Sequence, residues 1–510
     1  MWLFFYFRYM NYKIVVVVPF LFILLFCLGF DTRAEKVYEF NSTCQQAYQE
    51  IIKLKLKEGS LLIEKAKKQN PDNLIPIFLE SYIDLFNLFF YEDPAEYAIK
   101  KPLLAERLKL LESGQQSSPF YRYCLSASYL HRAFIEIKFS ENWRASWDVR
   151  KAFLLIKDNK RIFSTFVPND LIYGGLQTVI ATIPSGYTLF ANLVGLSGTM
   201  DEGLKMVSNF ANSSDPYAKL FNCEGAFVYC YEFYHIANKK QDVFSYIQNK
   251  KLDLVNNHLL AYMAANIAIA DKRMDYSKNI MLSRNKSPEY SQIPVWDYEL
   301  GLIHLYHLET KEGIKYYESY LSKFKGNFYL KDNYLKLGWC YYLEGNIQAA
   351  ESTRNNILKK GSLDTDADKQ AMKDAKSGVW PNTLLLKARM MSDGGYYNDA
   401  LSILNGKTVN SFTKEEEKLE FNYRLGRIYD DLNKNEEALK YYNSAIDIGE
   451  NRQEYYGSRA ALQAAEIYER LGKKALAINY FQKCLSMKNH EYKNSLDQRA
   501  NAGLKRCTEK

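Results

Sequence analysis

Along the C-terminal half of the chain, apolar and small residues fall on a helical beat that stops at polar turns and restarts. The stretch from Phe421 to Ile446 displays it. Leu425, Gly426 and Tyr429 share one helix face, a polar turn follows, and Ala438, Tyr442 and Ala445 share the face of a second helix. Counted from Gly426, these second-helix positions lie 12, 16 and 19 residues on. The same steps recur four more times. From Ala465 they reach Ala477 and Phe481, with Tyr468 repeating the aromatic and Cys484 at the third place. From Gly338 they reach Ala350 and Arg354, from Ala388 Ala400 and Leu404, and from Gly301 Gly313 and Tyr317. Turn glycines Gly345 and Gly395 fall inside two of these pairs. Small residues at such steps let two helices cross closely, and the aromatics fill the gap to the next pair. The pattern predicts five helical hairpins in one register.

This arrangement of small residue, aromatic, then Ala, Phe and Ala resembles the tetratricopeptide-repeat family over about residues 293–487. The successive small positions Gly313, Ala350, Ala400, Ala438 and Ala477 are 37, 50, 38 and 39 residues apart, against a family period of about 34. Longer connections must absorb the difference. The widest gap holds Gly361 to Gly378, rich in Asp and Lys, where a short extra helix or a mobile loop is expected. Residues 488–510 are expected to form a capping helix and tail.

Residues 35–292 are helical by pattern but less regular, so the whole reads as all-α: a solenoid of hairpins preceded by an irregular helical region. Ser117–Ser118–Pro119 opens a helix running through Phe139, with Pro in the first turn. Asn70–Pro71–Asp72 and Asp93–Pro94 mark breaks. Leu171 to Gly198 is unusually apolar, but Gly174, Gly175, Pro184 and Gly186 cut it into runs too short to span a bilayer. Closely packed buried helices are expected there. Over about residues 186–343, the segments Val194–Leu204, Leu300–Leu321 and Tyr334–Asn346 are similar to a long-chain tetratricopeptide family of inclusion-body-clearance proteins. An exported chain departs from that cytosolic family.

Export is read from the N-terminus. Lys13 precedes an unbroken apolar run from Ile14 to Phe30, and Asp31, Thr32, Arg33 and Ala34 follow. These are the parts of a secretory signal spanning residues 1–34, with cleavage before Glu35 and Met10 as an alternative start. An uncleaved membrane anchor is the competing reading, because 17 apolar residues approach a span. Cys27 follows Phe26, too bulky for the usual lipid-attachment site. Either way the expected place is outside the cytoplasm, periplasmic or cell-envelope in a bacterium, with membrane association through this segment in the anchored case.

Gly (25) and Pro (12) are scarce for 510 residues and Tyr (41) abundant, which favours long helices with short connections and half-buried rings. The formal charge is +8, of which residues 1–34 carry +2, and the rest looks evenly spread. The densest basic run, Lys53 to Lys68, reads as a solvated helix face, and no basic stripe interleaved with stacking aromatics points to nucleic acid. Seven cysteines beyond the signal are odd in number and scattered, which suits free thiols in helical cores.

Catalytic constellations are hard to find. His304 and His307 share a helix face and could join Glu309 around a metal, but His304 stands at the aromatic position of its repeat and packing explains it more simply. Gly195, Gly198 and Gly203 fit neither phosphate-loop spacing. No cofactor is expected, and no enzyme. What remains is the concave surface implied by the family resemblance, in which the first helix of each hairpin lines a groove. Carried onto this chain, the lining positions include Lys336, Trp339, Tyr342, Arg389, Tyr423, Arg424 and Arg427. Aromatics and arginines suit a protein or peptide partner, where a few such residues dominate binding energy. The same residues would serve if residues 35–292 filled the groove. The expected function is an exported adaptor; the alternative is a glycan-binding outer-membrane protein of the starch-utilisation type, for which the lipid-accepting Cys and Trp-bearing loops are missing.

Overall fold

A computed structural model describes residues 36–183 and 195–508 of the chain. The signal or anchor reading, including cleavage before Glu35, lies outside the described residues, as does the stretch 184–194 of the apolar run. Among the described residues the chain is an all-α solenoid with no strand, apart from isolated bridges joining Lys36 to Gly114 and Val37 to Asn73. No described helix is long and apolar enough to cross a membrane.

The five hairpins form where the small-residue register places them. Their helices are Val295–Tyr306 with Thr310–Lys323, Leu330–Leu343 with Ile347–Lys359, Thr383–Asp393 with Tyr397–Leu404, Glu415–Asp431 with Asn435–Gly449, and Tyr456–Arg470 with Lys474–Ser486. Ala350, Ala388, Ala400, Ala438, Ala445, Ala465 and Ala477 are fully buried, as are Tyr317, Tyr442 and Phe481. Gly426 shows why the first-helix position must be small. A Cβ added there would stand 2.5 Å from the Tyr442 ring, inside van der Waals contact of a ring that has no room to move. The repeat register continues into the cap. Helix Lys493–Thr508 sets Gly503 against Phe481, buries Leu496, Ala500 and Cys507, and turns a polar face outward.

The insert is ordered. Asp366–Ser377 is a helix, capped by the Thr365 side chain at its start and by Gly378 (φ 69°) at its end. It lies against both helices of the second hairpin: Ala371 and Ala375 join the core of Tyr317, Leu337, Trp339 and Ile357.

The N-terminal region is also built of helix pairs, among them Ser42–Ile52 with Leu56–Gln69, Pro119–Lys138 with Asn142–Ile162, Asn222–His235 with Lys240–Asn249, and His258–Ala270 with Met274–Ser283. Its first helices fold back onto residues 222–291. The hydroxyls of Tyr48 and Tyr82 both donate to Glu224 at 2.6 and 2.7 Å, Lys55 pairs with Glu289 at 2.6 Å, and the Ser291 amide donates to the Leu54 carbonyl. The basic run of the sequence is thus partly neutralised, since Lys53 and Lys67 also have carboxylate partners. One continuous core runs from Tyr38 to Ile303, across residue 293, and three smaller cores follow along the array. Pro168–Ala181, from the apolar run, packs closely on Met200–Ala211, with Gly174 and Gly203 at the crossing. The seven described cysteines are free thiols, six of them buried.

Candidate partner-binding cleft

The array curves until its end faces its insert. Tyr492 donates to Gln370 and Glu491 pairs with Lys373, so the loop before the cap touches the insert helix. A cleft of about 600 Å³ is left between them. Trp339, Trp380, Arg389, Tyr455, Tyr456 and Tyr492 are among the residues that line it. Ring contacts order this lining. The Arg389 guanidinium lies 5.1 Å from the Trp339 ring, Tyr492 meets Tyr455 edge-on at 5.2 Å, and Trp380 stacks on Tyr342 at 5.0 Å while donating its indole N–H to Glu351. Glu416, Glu420 and Glu454 line another part of the cleft, and Glu416 is pushed above the usual carboxylate range by burial and by those two like charges.

The seven groove positions read from the sequence divide in the structure. Trp339 and Arg389 line the cleft, and Tyr342 supports it through Trp380. Lys336 is buried and held by Asp332, with the Tyr298 hydroxyl nearby. Tyr423 is part of the core around Tyr442 and Ala461. Arg424 is only 4% exposed; it pairs with Glu420 at 2.8 Å and lies 5.5 Å from the rings of both Tyr423 and Tyr456. These three positions therefore do not present their side chains to a partner: Asp332, Glu420 and the rings of the neighbouring helices enclose them. Arg427 faces Asp393 and Asp431 at 3.8 and 3.9 Å.

Around Arg427 the groove is filled by the chain itself. The turn Asp271–Arg273 of the His258–Ser283 pair reaches the third and fourth hairpins, and Lys272 pairs with Asp431 of the fourth at 2.7 Å. Gly395 (φ 87°) is the point of contact: a Cβ there would stand 2.2 Å from the Lys272 carbonyl oxygen. The Tyr396 hydroxyl donates to Asp275 at 2.8 Å on the same seam. Burial would raise the Asp393 carboxyl, yet Arg389, Arg427, Arg424 and Lys272 hold it below its ordinary range. That cluster is a structural joint between the two halves.

Trp380, Tyr455, Tyr456 and Tyr492 were beyond the reach of the repeat template, because they lie in connections and at a helix start rather than at counted positions. The Tyr455–Tyr456 doublet and a lone Trp after the insert were the available signals. His304, His307 and Glu309 do come together, but Glu309 also takes Lys278 at 3.1 Å, and His304 is buried with its ring stacked on Tyr316. Among the described residues no cluster of three or more potential ligands could hold a metal.

A family model described as tetratricopeptide repeat matches residues 419–451 and 458–491, the fourth and fifth hairpins. These two hairpins are tetratricopeptide repeats. No curated protein sequence matches the chain. Among solved structures it is similar to the hetero-tetramer Cut9–Hcn1 of the APC/C, at 12% identity and a TM-score of 0.28 over 93% of this chain and 100% of that one. It is similar also to the P58(IPK) TPR domain, at 13% identity and a TM-score of 0.23 over 84% and 99%. Scores this low describe no common overall shape.

Proposed function

We propose that the protein is an exported, non-enzymatic adaptor that holds a protein or peptide segment in the cleft between the insert helix and the end of the array. The observation that carries this reading is the convergence of Trp339, Arg389, Tyr455, Tyr456 and Tyr492 on one cleft, although they come from four separate stretches of sequence. Stiff aromatic rings and a guanidinium offer much contact at little entropic cost. Arg389 keeps a third of its side chain exposed, and its one ion-pair contact, Asp393, stands at 3.6 Å. It has capacity left for a carboxylate or carbonyl of a partner. Because the Asp393 contact is loose and Asp393 keeps Arg427 at 3.8 Å, Arg389→Ala is expected to lower partner capture at least tenfold while the melting temperature holds. A melt that drops together with capture, or capture that survives the change, defeats the reading. Export rests on the Lys13-flanked apolar run, and N-terminal sequencing of the protein from the cell envelope tests it. A mature start near Glu35 supports cleavage; retention of residues 14–30 supports the anchor.

A further inference from the structure

We propose that the outer face of helix Asn142–Ile162 docks the protein onto the surface of an anionic phospholipid bilayer. The helix has two distinct faces. Ala145, Asp148, Ala152, Phe153, Ile156 and Asn159 are buried against the rest of the N-terminal region. On the outer face Trp143 is 71% exposed and Trp147 41%. They stand one turn apart with ring centroids at 5.8 Å, edge to face. The other described tryptophans are packed: Trp296 and Trp339 are buried, and Trp380 is stacked and hydrogen-bonded. Two indoles exposed on consecutive turns pack on each other rather than into a core among the described residues.

Charge selects the occupant. The helix carries six Lys or Arg and two Asp or Glu. Both acids are engaged within the protein, Asp148 by Arg132 and Asp158 by Arg122 and Arg161. Cations at the two ends are paired as well, Arg144 with Glu136 and Glu141, Lys160 with Asp170 and Arg161 with Asp158. The positive charge beyond the tryptophans is carried by Arg150, Lys151 and Lys157. Arg150 lies over the Trp147 ring and Lys151 over Tyr129, one turn beyond the tryptophans on the same side. An indole is amphipathic and settles at the headgroup level, while cations beside it are drawn to anionic lipids within a Debye length. A helix lying flat, aromatic at one end and basic through its middle, fits such a surface. This face shares no residue with the cleft.

The test uses the full chain and vesicles of equal parts phosphatidylcholine and phosphatidylglycerol. The difference in emission between the native chain and a Trp143→Ala, Trp147→Ala variant isolates the two indoles from any binding through residues 14–30. Expected is a blue shift of that difference and loss of its acrylamide quenching on adding the anionic vesicles, both reversed by high salt. Arg150→Glu with Lys151→Glu keeps both indoles and is expected to abolish the shift. Three results overturn the proposal: no change in the two indoles while the chain sediments with vesicles; an equal shift on pure phosphatidylcholine; or a shift that appears without lipid and follows protein concentration, which would assign the face to a second copy of the chain.

Discussion

Replacing Arg424 with Ala removes one partner of a buried ion pair and two ring contacts at once. The guanidinium is 4% exposed, 2.8 Å from Glu420 and 5.5 Å from the rings of Tyr423 and Tyr456. Breaking a buried pair by deleting one partner costs about 3–5 kcal/mol, and the lower end applies because Glu420 keeps some contact with water. Lost cation–π contacts add about 0.5–1 kcal/mol. The expected destabilisation is therefore about 4 kcal/mol, felt in the fourth and fifth hairpins, because stability in a repeat array is local. Arg427 offers the control. Its contacts at 3.8 and 3.9 Å are longer and its side chain keeps 24% exposure, so Arg427→Ala is expected to cost about 1–2 kcal/mol, less than Arg424→Ala. Urea titration followed by circular dichroism reads both variants through the midpoint of the C-terminal transition. Arg424→Met combined with Glu420→Leu should recover most of the loss, since two apolar side chains can replace a buried pair. Arg424→Ala unfolding with the native midpoint, or no earlier than Arg427→Ala, would refute the assignment of Arg424 to packing and return it to the binding surface.

Ala438→Leu should overpack the fourth hairpin, where Ala438 is fully buried, and cost about 1–3 kcal/mol by the same titration; an unchanged midpoint would contradict the register. Glu232 and Glu299 are each pushed up to about 8 by burial, against an ordinary 4.5. The folded chain therefore binds more protons than the unfolded chain between those values, and this contribution is full below 4.5 and lost as pH rises through 8. His131 and His258, lowered to about 3 and about 4, act in the opposite sense but only below their ordinary 6.5. Thermal melts are thus expected to fall from pH ~6.5 to ~8.5, and Glu232→Gln with Glu299→Gln to flatten that slope; a slope unchanged in the double variant would reject the buried acids as its source.

The array was legible in the sequence because its register rests on volume. Gly426, Ala438 and Tyr442 each admit one size of side chain at a helix crossing, and that constraint repeats along the chain. The groove was less legible. Counting from the small residue picks the inward side of a helix, but how far inward depends on curvature, which no spacing records. Hence Arg389 keeps exposed side chain in the cleft and Trp339, itself buried, only borders it, while Tyr423 and Arg424, from the same count, are sealed by Tyr455, Tyr456 and the next hairpin. The self-filled seam at Lys272 depends on a contact between residues more than a hundred positions apart, Lys272 with Asp431. Trp380 and Tyr492 reach the cleft only because the insert became a helix and the cap folded toward it.

A photo-crosslinking residue placed at Tyr456 within the cleft, and separately at Lys440 on the outer helix of the fourth hairpin, tests partner binding most directly. The account predicts that Tyr456 crosslinks a discrete partner in envelope fractions, that Arg389→Ala abolishes the adduct, and that Lys440 gives none. Equal adducts from both positions, or an adduct at Lys440 alone, would contradict it.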